Sequence, residues 1–449
     1  MIVCKFGGTS VQDAPAIDRV TAIMQRRLPE QPIVVVSALA LVTDELFALA
    51  SDTERGQPRQ VHRALERLLE RHRAVATTLK VTSVVPAIEG GIEAIRLRLD
   101  AAAGRALTPE ERDWLVGHGE LWSARLVAAA LAAAGLPACW IDARKLIITD
   151  QRFGRATPDT ATINGRAQAE LAPLLASGSV PVVQGFVGAT PEGRPTTLGR
   201  GGSDFTAALL GAALGARRVE IWTDVDGIMT ADPRIVPEAR TLPSATYDEA
   251  AELATFGAKV LHPATQMPLA EAKIPIVVLN SMRPDNPGTV IGATRASAVR
   301  AGGAVGSISW KRGIIVVHVR APRMLGAYGF LRQLFEVFER NEVVVDVLAS
   351  SEVSVSLTIE DATRLDPLVR DLSLLGEVTV TQGRAIVAVV GHGVRSTPGI
   401  AGRVFAATQP ANVEIISQGA SAINLTFVVR EDEAADVVRR LHRTFFEAA

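Results

Sequence analysis

The run Leu198-Gly199-Arg200-Gly201-Gly202-Ser203-Asp204, LGRGGSD, leads directly into the Ala/Leu-rich stretch 205–214. Three glycines within four positions serve backbone geometry rather than packing. They let successive N–H groups turn toward one point and let a ligand come close. The stretch after them has helical spacing, and Ser203 or Asp204 is placed to cap it. A glycine turn feeding a helix N-terminus favours anions through its free N–H groups and the helix dipole. Arg200 adds a planar fork suited to a carboxylate or phosphate. An ordinary glycine turn before a capped helix reads the same way, because short glycine motifs recur by chance. The rest of the chain decides between them.

Residues 32–37 (PIVVVS) form a continuous apolar run, and strands in the same βα rhythm read at 1–6, 138–142 and 180–185 and, downstream, at 218–223 and 274–280. Continuous rather than alternating apolar runs mark strands buried on both faces of a parallel sheet. Helical patterns separate them, for example 13–27 and the long excursion 51–135. That alternation predicts a doubly wound α/β sheet over about the first 295 residues. Ligands in such sheets sit beyond the carboxyl ends of the strands. The polar clusters fall there: after Phe6, after Val36, after Gln184 and after Trp222.

Beyond the Gly/Ala/Ser-rich segment 286–307, which reads as a linker or peripheral strand, an internal repeat begins. Strands at 313–319, 343–349, 352–359 and 378–382 surround helices at 329–340 and 361–375. A second copy has strands at 385–390, 412–418 and 422–429 with helices at 399–408 and 433–446. Each copy reads βαββα(β), the ferredoxin-like order.

The chain has 449 residues, 48% hydrophobic and 21% charged, with net charge -1. These values suit roughly three globular domains. No basic excess points to nucleic acid, and no apolar run is long enough to span a bilayer. The N-terminus, Met1-Ile2-Val3-Cys4-Lys5, reads as a strand rather than a signal peptide. Cys4 and Cys139 are expected to be buried, reduced thiols. The seven histidines show no metal-ligand spacing, so no metal residues are assigned. A soluble, cytoplasmic protein is expected.

Five clusters carry chemistry. Lys5 stands one residue before Gly7-Gly8, where its ammonium can reach phosphate oxygens, although the P-loop order is absent. Ser37, Thr43 and Asp44 follow the second strand; they suit a small polar substrate, or turn and cap roles. Glu120, in HGELWS, is flanked by apolar residues and suits an ammonium group if it is buried. Thr223-Asp224-Val225-Asp226-Gly227 and Asp232-Pro233-Arg234 could organise lysines or meet a ribose. Lys259 is a second lysine close to a glycine, in FGAKVLHP. No nucleophilic triad can be assembled, so covalent catalysis is not indicated.

Taken together, KFGGTSV at 5–11, HGELWS, RFGRATPD at 152–159, TTLGRGGSD, WTDVDGI, TADPR and FGAKVLHPAT resemble the aspartate kinases of the amino acid kinase family. They occur in that family's order across the whole catalytic half. The C-terminal repeat is similar to the tandem ACT domains of those enzymes. The run SEVSVSLTI and the length are most similar to the lysine-sensitive form without a fused homoserine dehydrogenase.

The resemblance implies three domains: an amino acid kinase domain at 1–295 and ACT domains at 308–383 and 384–449. It implies ATP-dependent phosphorylation of the β-carboxylate of L-aspartate, the first step toward lysine, threonine and methionine. Lys5 and Lys259 would neutralise charge on the transferring phosphoryl group, and Asp204 would orient the active-site lysine. Glu120 would receive the α-amino group and Arg200 the α-carboxylate. Ser37, Thr43, Phe186, Gly201, Gly202 and Ser203 would line the substrate pocket. Phe6, Gly7, Gly8, Thr223, Asp224, Met229, Arg234 and Val260 would meet ATP, with Mg2+ carried by its phosphates. The nucleophile is already ionised near pH 7, since an aspartate side chain titrates near ~3.9. No general base is therefore needed; the reaction needs in-line positioning and cations.

The same resemblance implies an allosteric amino acid, L-lysine ahead of threonine, surrounded by Met324, Ala327, Phe330, Leu331, Val345, Asp346, Ser351, Glu352 and Val353. It also implies a homodimer through the ACT domains, with a tetramer as the larger form, and no nucleic acid or membrane partner. This chain departs from the family's pattern at Met229, where a tyrosine is common, and in the bulkier 38–42 loop. Ala327 and Val344 stand where lysine-sensitive members tend to carry hydroxyls. Two rivals remain open on the sequence: a kinase for a different amino acid, and a catalytically idle ACT-type sensor.

Overall fold

The computed structural model describes residues 1–257, 261, 263–294 and 303–447. Two compact units form. The first comprises 1–228, 243–247 and the described residues of 260–296; the second comprises 229–242, the described residues of 248–259, and the C-terminal part from 303.

The first unit is organised by an eight-stranded sheet. Its strands are β1 (Ile2–Phe6), β2 (Pro32–Val36), β3 (Ala138–Ile141), β4 (Val180–Gln184), β7 (Val219–Thr223), β8 (Ser244–Thr246), β9 (Ile276–Asn280) and β10 (Thr289–Gly292). The order is β3-β4-β2-β1-β7-β9-β10-β8. A small ribbon of β5 (Val187–Ala189) and β6 (Pro195–Thr197) stands apart. Every residue of β1, β2 and β4 is buried, which is why those runs lack alternation and are apolar apart from Lys5 and Gln184 near their carboxyl ends. All pairings are parallel except β9 with β10. The chain starts at β1, passes to β2, crosses to β3 at the sheet edge, comes back to β4 between them, and then moves to β7 on the other side of β1. β1 therefore lies at the topological switch point, where a crevice opens beyond the strand ends.

Helices α1 (Ala14–Arg27), α2 (Val42–Glu54), α3 (Pro58–Thr78), α4 (Val85–Ala101), α5 (Pro109–Ala133), α6 (Thr160–Ala176) and α7 (Gly202–Ala213) accompany this sheet. α8 (Tyr247–Thr255) and α9 (Pro263–Glu271) follow β8. The long α5 begins in a capping box: Glu111 N donates to Thr108 Oγ1 at 3.2 Å, and Thr108 N donates to Glu111 Oε2 at 2.9 Å. Gly119 lets α5 approach the 38–46 segment; a Cβ there would sit 3.0 Å from Ala38 Cβ and 3.1 Å from Val42 Cγ1.

The second unit contains β11 (Ser307–Arg320), α10 (Phe330–Arg340), β12 (Leu348–Ser350), β13 (Ser354–Ile359), α11 (Leu365–Leu372), β14 (Glu377–Val390), α12 (Ile400–Thr408), β15 (Ile415–Gln418), β16 (Asn424–Arg430) and α13 (Glu431–His442). All six strands form one sheet, ordered β12-β13-β11-β14-β16-β15. The two modules thus share β11 and β14. Residues Ser307–Lys311 pair with Ile386–Val390, whereas Val316–Arg320 pair with Glu377–Thr381 and also with Ser354–Thr358.

The segments 229–242 and 248–257 pack within this unit. Thr230 Oγ1 lies 2.9 Å from His442 Nε2, Ser307 Oγ donates to the Met229 carbonyl at 2.7 Å, and Ser309 Oγ donates to the Phe256 carbonyl at 2.6 Å.

Several sequence expectations are corrected. The cap of α7 is Gly201, in the left-handed region at φ 72°, with no side-chain cap; Asp204 makes an ion pair instead, as described below. The strands expected at 378–382 and 385–390 are one strand, because Gly383 (φ 69°) carries the chain on through a bulge rather than ending it. The strand expected at 343–349 shrinks to Leu348–Ser350, and the helix at 361–375 to Leu365–Leu372. Cys4 is buried, but Cys139 is only half-buried. β5, β6 and β8 had no counterpart in the sequence reading, and β10 falls in the 286–307 segment read as a linker or peripheral strand; each is only three or four residues long.

Candidate active site

The turn after β1 is held at the sheet's carboxyl rim by the neighbouring strands. Gly7 N donates to the Trp222 carbonyl at 3.1 Å, Ser37 N to the Phe6 carbonyl at 3.0 Å, and Gly185 N to the Val36 carbonyl at 2.8 Å. The ends of β1, β2, β4 and β7 are thereby locked side by side. A cavity of about 930 Å³ opens over this rim. Lys5, Gly8, Ser37, Thr43, Glu120, Phe186, Arg200, Gly201, Gly202, Ser203 and Asp204 all line it. These are the residues the sequence singled out from five separate segments.

Lys5 is nearly buried, and its Nζ lies 2.6 Å from Asp204 Oδ1. β1 supplies the cation and the first turn of α7 supplies the anion, so the ion pair ties the two glycine-bearing segments together. Gly185 and Gly202 make this approach possible. A Cβ at Gly185 would fall 2.5 Å from Ser203 Cβ, and one at Gly202 would fall 2.7 Å from Phe186 Cδ2. Phe186 itself holds φ 69°, a strained conformation for a bulky residue. Its N–H is anchored by donating to Thr206 Oγ1 at 3.1 Å.

Glu120 is buried on α5, and burial pushes its carboxyl up to about 8. Thr43 Oγ1 lies 3.5 Å from Oε1, while Oε2 has no hydrogen-bond partner. A carboxyl so placed is costly unless a cation arrives. Arg200 is exposed at the cavity wall and makes no ion pair with an acid among the described residues.

Asp113 also faces the cavity and was not singled out from the sequence. It accepts from Gly154 N at 2.9 Å, Thr197 N at 2.8 Å and Thr197 Oγ1 at 2.8 Å. Asp113 follows Glu110 and Glu111 near the start of α5, where acids ordinarily read as dipole partners, so no local signal marks it.

Phe6 is fully buried in β1 beneath the rim and does not line the cavity. Thr223 ends β7 and Asp224 follows it, exposed, on the side of β1 away from β2. Met229 and Arg234 belong to the second unit, where Arg234 Nη2 pairs with Asp232 Oδ2 at 2.7 Å. Lys259 and Val260 lie outside the described residues.

In the second unit, a cavity of about 640 Å³ is lined by Met324, Ala327, Phe330, Leu331, Ser351 and Glu352, together with Arg332 and Ser350. Val345, Asp346 and Val353 do not line it. Asp346 Oδ1 instead lies 3.6 Å from Lys311 Nζ, and burial raises its carboxyl.

A lysine, an arginine and a glycine turn gathered at the switch point of a parallel sheet, beside a buried carboxyl, define a phosphotransferase for a small amino-acid carboxylate. The amino acid kinase family model matches residues 1–280, and an ACT domain model matches 387–445. The chain is 39% identical over 456 residues to lysine-sensitive aspartokinase 3 of Escherichia coli, covering 100% of this chain and 99% of that protein. It is 37% identical over 463 residues to chloroplastic aspartokinase 2 of Arabidopsis thaliana, covering 99% of this chain and 84% of that protein. The crystal structure of E. coli aspartokinase III with aspartate and ADP, an R-state, superposes with TM-score 0.88 at 38% identity over 99% of this chain and 100% of that one. The T-state of the same enzyme with lysine and aspartate gives TM-score 0.82 at 39% identity, covering 99% of each chain. The chain belongs to the aspartokinases of the amino acid kinase family. It is an ATP-using kinase of amino-acid biosynthesis, and neither the idle-sensor reading nor a different amino acid is favoured.

No helix among the described residues is long and apolar enough to cross a membrane.

Proposed function

We propose that the cavity around Lys5, Asp204 and Glu120 is where this enzyme transfers the γ-phosphoryl group of ATP to the β-carboxylate of L-aspartate. The observation that carries the assignment is the meeting, in one cavity, of a paired lysine and a buried carboxyl whose Oε2 lacks a partner. Glu120 takes the substrate's α-ammonium, and exposed Arg200 takes its α-carboxylate bidentately. Ser37, Thr43, Phe186, Gly201, Gly202 and Ser203 bound the side chain. These contacts leave the β-carboxylate directed toward Lys5.

The β-carboxylate attacks without a general base, because it is ionised well below neutral pH. Lys5 stabilises charge on the phosphoryl oxygens as the bond to ADP breaks, and Asp204 fixes the position of its ammonium. The amide of Gly8 faces the phosphates, whereas that of Gly7 is already given to the Trp222 carbonyl. Thr223 and Asp224 meet the nucleotide. Mg2+ carried by the phosphates of ATP would neutralise part of their charge; no cluster of three or more acidic, histidine or cysteine side chains that could hold a metal occurs among the described residues, so the ion would keep mostly phosphate and water ligands.

Lysine is the feedback effector, held at the 640 Å³ cavity with Glu352 facing its ammonium. Exposed Leu325, Tyr328, Leu331, Phe335 and Val344 on the first ACT module support a homodimer through that module, with a tetramer as the larger form. The location is the cytoplasm.

A coupled assay of aspartate-dependent ADP release on the full chain and on Lys5→Ala tests the site. Activity in the parent with loss of kcat in the variant is expected. Parent activity with an unaltered variant would move the chemistry elsewhere.

A further inference from the structure

Glu120 and Asp113 stand seven residues apart on α5, close to two turns, and both face the same cavity. The phosphoryl-transfer scheme uses Glu120 but leaves Asp113 idle. Its surroundings are not those of an idle surface acid. It is buried, and its two oxygens receive four hydrogen bonds: two from the Gly154 N–H, at 3.0 Å and 2.9 Å, and one each from the Thr197 N–H and hydroxyl, both at 2.8 Å.

Those donors sit at two strategic places. Thr197 ends β6 and is two residues from Gly199, where the LGRGGSD turn starts to bend. Gly154 lies in the 152–159 loop, and that loop touches the same turn: a Cβ at Gly199 would fall 3.1 Å from the Gly154 carbonyl oxygen. Ala156 N also donates to the Thr197 carbonyl at 2.8 Å. The turn that carries Arg200 is therefore clamped on its entering side by one carboxylate, and that carboxylate rides on the helix that carries Glu120.

We propose that Asp113 is a positioning residue for the amino-acid subsite: it fixes the Arg200 turn at a set distance from Glu120, so that α5 acts as the spacer between recognition of the α-ammonium and recognition of the α-carboxylate. The inference rests on the assignment of Glu120 and Arg200 to aspartate made above. Asp113 makes no contact with the reacting atoms. Replacing its carboxylate by an amide removes one acceptor oxygen and substitutes a donor facing N–H groups, so the clamp loosens while the volume stays the same.

The test measures kcat, KM for aspartate, KM for ATP and thermal midpoint on the full chain for Asp113→Asn, Thr197→Val, Thr197→Ser and Arg200→Met. Asp113→Asn is expected to raise KM for aspartate about 10-fold or more while KM for ATP stays within about twofold, the size of effect that loss of a charge-assisted contact gives. Thr197→Val, which removes only the hydroxyl donor, is expected to give a smaller rise of the same kind, and Thr197→Ser to restore parent values. Unchanged KM for aspartate in Asp113→Asn, or a parallel change in both KM values with a lowered midpoint, overturns the positioning role. Arg200→Met separates the two levels. If it raises KM for aspartate while Asp113→Asn does not, the spacer is wrong and the subsite stands; if Arg200→Met leaves KM for aspartate unchanged, the subsite itself is wrong and the spacer falls with it.

Discussion

Lys5 Nζ lies 2.6 Å from Asp204 Oδ1, and both side chains are largely removed from solvent. The pair joins residues 199 positions apart in sequence, one at the end of a central strand and one in the first turn of a helix. A salt bridge in such a place is weak evidence for stability. Its value is geometric: the ammonium is held at the switch point, where phosphoryl oxygens arrive. Lys5→Ala is therefore expected to lower kcat by about 10²–10³, the cost of removing one preorganised donor to a developing charge. Asp204→Asn keeps the ammonium but frees its position, and a smaller loss is expected. Steady-state kinetics at saturating aspartate and ATP check both. An Asp204→Asn defect larger than that of Lys5→Ala would reverse the assigned roles.

Glu120 makes the enzyme's aspartate affinity depend on pH. Its carboxyl titrates near about 8 because burial disfavours the charged form. In the free enzyme at pH 7 it is mostly neutral, and an arriving ammonium stabilises the ionised form. Binding should then release about one proton per aspartate at pH 7, and affinity should rise with pH up to the region of 8. Calorimetry in buffers of different ionisation enthalpy measures that proton directly. Glu120→Gln should abolish the release and weaken binding.

Stability follows the same carboxyl with its own sign. Because the folded value is raised above the unfolded one near ~4.3, its contribution is present in full below that value and is lost as pH rises through about 8. In the absence of aspartate, Glu120→Gln should therefore flatten the decline in thermal midpoint between pH 5 and 8 that the parent shows. Each pH unit separating the folded from the unfolded titration point is worth about 1.4 kcal/mol. Parallel profiles for parent and variant would show that Glu120 is already ionised.

Gly185 is the tightest of the glycines around the cavity. A Cβ there would sit 2.5 Å from Ser203 Cβ and 2.6 Å from Ser203 Cα, so α7 itself must retreat. Gly185→Ala should cost about 1–3 kcal/mol of stability as an overpacking change. It should also raise KM for aspartate, because Ser203 and Asp204 move with the helix. Denaturant unfolding and steady-state kinetics report the two effects separately.

The sheet was legible because its central strands are buried on both faces and so carry non-alternating, mostly apolar runs, PIVVV throughout and IVCKF apart from Lys5. The glycine turns were legible because only glycine tolerates φ near 75° and 72° at Gly199 and Gly201 without strain. The joined sheet of the second unit was not. Gly313 and Gly383 look like strand ends in sequence, yet each sits in a bulge where its strand leaves one module and enters the other. Asp113 was invisible for a different reason. Its partners lie 41 and 84 positions away, and its own neighbourhood, PEERD at the start of α5, is what any helix N-terminus offers. Asp346 misled in the opposite direction: an acid beside the expected effector residues turned out to face Lys311.

That last difference sharpens the regulatory prediction. Of the two acids expected around a lysine effector, Glu352 lines the 640 Å³ cavity and Asp346 does not. Glu352 should then carry recognition of the effector's ammonium, and Asp346, held near Lys311, should not. Glu352→Gln is expected to raise the lysine concentration for half-inhibition at least tenfold, about 1.4 kcal/mol, with kcat and both KM values unchanged in the absence of lysine. Asp346→Asn should leave half-inhibition within about threefold of the parent, since the contact it loses is internal to the sheet. Inhibition curves with lysine, with threonine and with both, run on the two variants and the parent, distinguish these outcomes. Equal loss of inhibition in both variants would place the effector where Asp346 can reach it, and an uninhibited parent would remove lysine as the effector altogether.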